Sequence, residues 1–205
     1  MYLSKHHSKL LVIACNTATV AGIDWYRTHM REIPIIGVVP VIKTAAQTSK
    51  TKKIIVLATD FTTKSSYQKE LIKTFASDCK VTAIRAPQLV TEVERGEVNS
   101  SEIKQTVRNI LGSKIAEGVD VIVLGSTHFT FLREVIRAIV GEGVAVLDSG
   151  GAVARQIKRV LEARSEIARK QKETHVFYTT GNPKRVSRVS TKLMGAPMTF
   201  VYAKL

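Results

Sequence analysis

The strongest constraint on this chain is a pattern that occurs twice. Leu10-Leu11-Val12-Ile13-Ala14 is an apolar run of five residues, too short for a helix of its own and rich in aliphatic side chains. It reads as a strand buried on both faces of a parallel sheet. Cys15 stands at its carboxyl end, followed by Asn16 and Thr17. The run Val119-Asp120-Val121-Ile122-Val123-Leu124 repeats the layout and passes into Gly125-Ser126-Thr127-His128. Cys15 and Ser126 therefore occupy equivalent places, each a small nucleophile-type side chain at a strand end. In open α/β sheets that edge is where ligands bind, and the helix that comes next begins with free N–H groups that attract anions.

The rest of the chain alternates short apolar runs with amphipathic stretches, which predicts an α/β fold with mainly parallel sheets wrapped by helices. Helices are expected over 18–32, ended by Pro34, and from Pro40 to 49. Strands are expected over 35–39, 53–58 and 80–85. One helix over 63–77 would carry Tyr67, Leu71, Ile72 and Phe75 on its apolar side. Two more span 87–95 and 101–117, the second capped by Ser100 or Ser101. The strand 119–124 is followed by a helix over 129–140 and a strand over 144–147. Ser149 is expected to cap a helix reaching about 167, before a polar connection over 170–173. A strand over 175–178, a helix from Asn182-Pro183 to 193 and a strand over 198–202 complete the series.

Composition narrows the setting. A chain of 205 residues, 44% hydrophobic, is expected to fold as one domain or two small ones. No apolar run is long enough to span a bilayer. Two cysteines, Cys15 and Cys79, argue against a disulfide framework and for a reduced, cytoplasmic compartment. Lys5, His6, His7 and Lys9 beside the first apolar run imitate a lipoprotein leader. Its five residues fall short of the roughly 7 to 15 of a signal segment, so the strand reading is preferred. The formal charge is +14, and residues 155–192 hold eleven Lys or Arg against three Glu. Such a surface can bind nucleic acid through phosphates. A solvated helix face is the favoured reading, because aromatic side chains for base stacking are not interleaved there.

The two strand-end motifs, Ala14-Cys15-Asn16-Thr17 and Gly125-Ser126-Thr127-His128, resemble those of the glutamate racemase family. Further landmarks stand in the family's order: Gly37-Val38-Val39-Pro40-Val41-Ile42-Lys43, Leu57-Ala58-Thr59 with Thr62, Leu89-Val90 with Glu94, Leu147-Asp148-Ser149-Gly150 with Ala152, and Tyr178-Thr179-Thr180-Gly181. The resemblance runs from about residue 9 to the C-terminus. It implies two related Rossmann-like lobes with the active cleft between them, one formed by 1–40 with 148–205 and the other by 41–147. It also implies cofactor-independent interconversion of L- and D-glutamate, supplying D-glutamate for peptidoglycan, and leaves a homodimer open as the assembly. No metal cluster, phosphate-binding glycine loop or dinucleotide fingerprint is present, so neither cofactor nor metal is expected.

Removing an amino-acid α-proton without a cofactor needs a base in contact and stabilisation of the developing charge, and racemisation needs a proton returned on the opposite face. Two thiols, one on each face, meet that need in the family. By the resemblance, Cys15 is one base and Ser126 stands in the place of the other, with His128 beside it. Asn16, Thr17, Thr62, Thr127 and His128 are the implied substrate ligands. Taken only as residues, Cys15 could be a small buried hydrophobe, and the threonines and Asn16 ordinary helix caps. Cys79 has no polar company at a strand end and reads as structural.

The comparison with the family carries further expectations. Ser126 is a far weaker acid than a thiol, so two-base transfer should be impaired. A Ser126–His128 pair is one way to activate it, but no acidic third member is evident from the sequence. Glu94 matches a family acid near the cleft and equally reads as one of several solvated charges. Phe61 replaces a usual glycine and is expected to narrow the pocket. The family's opening Asp-Ser-Gly strand and a Tyr-Gly loop precede the matched region, so the flank of the 10–14 strand is expected to lie uncovered. Two other readings stay open: a single-thiol relative acting on another acid, and a non-catalytic basic binding protein.

Overall fold

The structure is a computed structural model that describes residues 8–170 and 175–204. In its first part β1 (Leu11–Ile13) leads to α1 (Asn16–His29), β2 (Ile35–Gly37) and α2 (Ile42–Thr48). The middle holds β3 (Lys53–Ala58), α3 (Asp60–Lys64), α4 (Ser66–Phe75), β4 (Lys80–Arg85), α5 (Pro87–Glu94) and α6 (Ser101–Ala116). It continues through β5 (Val121–Gly125), a 3-10 turn (Thr127–Leu132), α7 (Arg133–Val140) and β6 (Ala145–Leu147). The last part contains α8 (Gly150–Ala163), β7 (Phe177–Thr179), α9 (Pro183–Met194) and β8 (Phe200–Tyr202).

Every strand pairing among the described residues is parallel. The main sheet has the order β4-β3-β5-β6, and β1-β2 and β7-β8 form separate two-stranded sheets. The α/β expectation holds. β3 and β5 are buried on both faces because their alternate side chains enter two different clusters. Ile55, Leu57, Ile122 and Leu124 pack with Leu89, Val107, Phe129 and Ile136. Ile54, Val56, Val121 and Val123 pack with Ile42, Ala45 and Ala76. Each such aliphatic side chain stabilises the fold by about 1.5–3 kcal/mol relative to exposure.

Two glycines permit this packing. A side chain at Gly125 would stand 2.9 Å from the Leu57 carbonyl oxygen, so glycine lets β3 and β5 stay paired up to Ser126. At Gly37 an added carbon would come within 2.3 Å of Thr19 Cγ2, where α1 crosses β2.

Several boundaries differ from expectation, each for a local reason. The first strand is not buried on both faces. Among the described residues β1 pairs with β2 alone, and Val12 is 38% exposed. The first helix begins at Asn16, because the Cys15 carbonyl already accepts the Thr19 N–H. The 63–77 helix is instead two helices, since Ser65 is extended (ψ 142°) and its hydroxyl accepts the Gln68 N–H as a new cap. The 129–140 helix is likewise a 3-10 turn followed by α7. The helix after Ser149 stops at Ala163: Ser165 takes a left-handed φ of 56°, and the Glu166 N–H returns to the Leu161 carbonyl. Ser149 precedes this helix without a side-chain capping bond. Ser100 and Asn182 cap as expected, accepting from Ile103 and Arg185 N–H groups. Of the 170–173 connection, residues 171–173 lie outside the described part.

Candidate active site

The carboxyl end of β1 presents Cys15 as the residue before α1, with its thiol exposed and making no capping bond. Asn16 comes next and is only 3% exposed, yet among the described residues neither its amide nitrogen nor its amide oxygen has a partner. Leaving a buried polar atom unpaired costs about 1–3 kcal/mol. A side chain kept that way at a strand end is shaped for something outside the protein's own hydrogen bonding. Thr17 sits one residue further, on the same first turn.

Thr17 connects this end to the main sheet. Its hydroxyl lies 2.9 Å from Thr59 Oγ1 and 3.4 Å from Thr62 Oγ1. Thr59 comes directly after β3; its hydroxyl donates to Thr62 Oγ1 over 3.1 Å and accepts the Thr62 N–H over 3.3 Å. Thr62 is fully buried. Ala58 pairs with Gly125 in the sheet register, so Thr59 and Ser126 leave neighbouring strands side by side at one edge. Neighbouring strands run about 4.8 Å apart. The three threonine hydroxyls thus join the strand end that bears Cys15 to the edge that bears Ser126.

Around Ser126 the structure assembles a second group. Ser126 is 5% exposed, and its hydroxyl is 3.5 Å from His128 Nδ1. His128 Nε2 is 2.6 Å from Glu94 Oε1, across a separation of 34 residues. With the carboxylate as acceptor, Nε2 carries the hydrogen and Nδ1 is left to accept from Ser126. The expectation that the Ser126–His128 pair lacks an acidic third member is therefore overturned: α5 delivers Glu94 to the far side of the imidazole. Glu94 is 61% and His128 33% exposed at the side chain. A pair so wet contributes about 0–1 kcal/mol to stability.

Thr127, His128 and Glu94 line a cavity of about 520 Å³, together with Phe131 and with Asn182 and Arg185 of the C-terminal part. Arg185 and Asn182 carried no motif signal beyond a helix start. Thr59 stood within a recognisable landmark, but its bond to Thr17 depends on packing between distant segments. Phe61, expected to narrow the pocket, is 53% exposed and is not among the residues lining this cavity. Cys79 fits its structural reading: burial, and then Asp78 beside it, push its thiol above the usual range. Among the described residues no group of three or more His, Cys, Asp or Glu side chains is arranged to hold a metal ion. No helix among them is long and apolar enough to cross a membrane.

The comparisons with known proteins agree with this geometry. The Asp/Glu/Hydantoin racemase family matches residues 2–157. The chain belongs to that racemase family. It is 34% identical over 196 residues to the glutamate racemase of Pseudomonas aeruginosa, covering 96% of this chain and 74% of that protein. It is 37% identical over 184 residues to the glutamate racemase of a Shewanella species, covering 86% and 67%. Among solved structures, glutamate racemase isoform RacE1 of Bacillus anthracis superposes with a TM-score of 0.88 at 27% identity, covering all of this chain and 77% of that one. Escherichia coli glutamate racemase, solved with L-glutamate and the activator UDP-MurNAc-Ala, gives a TM-score of 0.78 at 28% identity over 94% of this chain and 73% of that one. Membership of the racemase family makes this an amino-acid racemase, with the family's two-lobed, mainly parallel α/β architecture.

Proposed function

We propose that this chain interconverts L- and D-glutamate without a cofactor, with Cys15 and Ser126 acting on opposite faces of the α-carbon. The observation that carries the reading is the Thr17–Thr59 hydroxyl contact at 2.9 Å, which ties the Cys15 strand end to the edge where Ser126 emerges. Asn16 supports it, since an unpaired amide offers both a donor for a carboxylate and an acceptor for an ammonium group, the two charges of an amino acid. Thr17, Thr62, Thr127 and His128 complete the proposed substrate ligands. The lobes divide as 1–40 with 148–205 and 41–147, so that the reacting carbon sits between them.

The exposed Cys15 thiol stands immediately before α1. With one thiol and one hydroxyl, turnover is slower than a two-thiol site allows. Its product, D-glutamate, would serve peptidoglycan synthesis in the cytoplasm. The test monitors each enantiomer by circular dichroism in the presence of the purified chain. Slow loss of signal from both D- and L-glutamate, abolished by Cys15→Ala, is expected. Activity indifferent to Cys15→Ala would remove Cys15 from the reaction, and no loss of signal from either enantiomer with the native chain would favour the binding-protein alternative.

A further inference from the structure

We infer that Arg185 binds the distal carboxylate of the substrate and so selects a dicarboxylic amino acid. This deepens the racemase reading above and rests on it. Arg185 then stands at one end of the bound molecule, and the strand ends that bear Cys15 and Ser126 stand at the other.

Glutamate carries one more negative than positive charge, so a site that prefers it must supply a countercharge. Asn16, Thr17, Thr62 and Thr127 are neutral, and Glu94 adds a negative charge to the cavity it lines with Thr127 and His128. Among the described residues lining that cavity, Arg185 is the only lysine or arginine. A carboxylate entering beside Glu94 meets repulsion that a guanidinium in the same cavity offsets.

The guanidinium is free to take such a group. Glu94, the one carboxylate among the lining residues, accepts from His128 Nε2 over 2.6 Å and forms no ion pair with Arg185. No other acidic side chain among the described residues pairs with Arg185, whereas Lys192, further along α9, is paired with Glu97. The backbone at Arg185 is held in place: Asn182 Oδ1 accepts its N–H over 3.0 Å, and Pro183 sets the first turn of α9. Val186 and Val189 follow on the same helix and line the same cavity, offering apolar contact to the methylenes between the distal carboxylate and the α-carbon. The cavity's volume of about 520 Å³ lies within the roughly 300–1,000 Å³ of small-molecule sites. Arginine suits the end position because its planar fork meets both oxygens of a carboxylate at once.

One such anchor serves both enantiomers. Racemisation changes the face that carries the α-hydrogen, and the carbanion between the two forms differs from either only near the α-carbon. Arg185 therefore holds substrate, carbanion and product alike. Binding of that uniform kind lowers KM and leaves kcat alone.

The experiment measures KM and kcat for D- and L-glutamate by circular dichroism in the native chain, Arg185→Met, Arg185→Lys and Arg188→Met. Arg185→Met should raise KM about tenfold for both enantiomers, with kcat changed less than about threefold. Arg185→Lys keeps the charge and loses the fork, so its KM should fall between those of the native chain and Arg185→Met. Arg188→Met removes the same charge from a place on α9 that does not line the cavity, and should leave KM unchanged. Calorimetric titration of D-glutamate into Cys15→Ala, with and without Arg185→Met, should show the same loss of about tenfold in Kd where no turnover occurs. An unchanged KM or Kd on Arg185→Met, a rise confined to one enantiomer, or an equal rise in Arg188→Met overturns the role of Arg185 while leaving the racemase reading intact. No change in signal from either enantiomer with the native chain overturns the racemase reading, and the role of Arg185 with it.

Discussion

The two strand ends that share a motif live in different surroundings. β1, which presents Cys15, is three residues long, pairs among the described residues with β2 alone and leaves Val12 38% exposed. β5, which presents Ser126, runs through the middle of the four-stranded sheet with Val121 to Leu124 buried on both faces. The thiol is exposed and has no capping bond, whereas the hydroxyl is buried and has a histidine and a carboxylate behind it. The difference is one of packing: β5 lies between β3 and β6, whereas β1 has one paired neighbour among the described residues. A hydroxyl needs a partner held in place, and a rigid, fully packed strand supplies that.

The contrast can be broken at several points. Cys15→Ala should lower racemisation by about 10²- to 10⁴-fold, the usual range for a lost general base, measured as loss of circular dichroism from either enantiomer. If the two ends differ in rigidity as described, Ile122→Ala on β5 should destabilise the protein by about 2–5 kcal/mol in urea denaturation. Val12→Ala on β1 should cost well under that, because its side chain is already partly in water. A core that tolerates Ile122→Ala as easily as Val12→Ala would erase the distinction. Ser126→Cys makes the two ends alike and should raise turnover about tenfold, the thiol being the stronger acid; unchanged turnover would mean that the hydroxyl is not limiting.

A smaller effect tests the orphaned amide. Asn16→Leu removes two unpaired buried polar atoms. It should raise stability by about 1 kcal/mol while raising KM for glutamate, since strain held for a ligand is released when the ligand's partner is removed. Lower stability in that variant would show that Asn16 is satisfied within the protein after all.

Much of the architecture was legible from residue patterns. Runs such as 54–58 and 121–124 announce buried strands because their side chains alternate into two apolar faces with no polar interruption. The helix starts at Ser100 and Asn182 are written in the cap residues themselves. The split at Ser65 is not written in the pattern, because the apolar stripe of Tyr67, Leu71, Ile72 and Phe75 lies wholly beyond it and periodicity does not register a single extended residue. The burial of the first strand is hidden for a related reason: an apolar run is the same string whether one or two neighbours cover it.

The sequence by itself determined the two equivalent strand ends, the thiol at one and the hydroxyl at the other, and through them the racemase family. Those features are local, fixed by a strand's length and by the residues at its carboxyl end. Tertiary structure alone decided that Glu94 meets His128 and that Thr17 meets Thr59, across separations of 34 and 42 residues. Such pairs depend on how α5, α1 and β3 pack together, and no spacing rule along a chain encodes a distance set by packing.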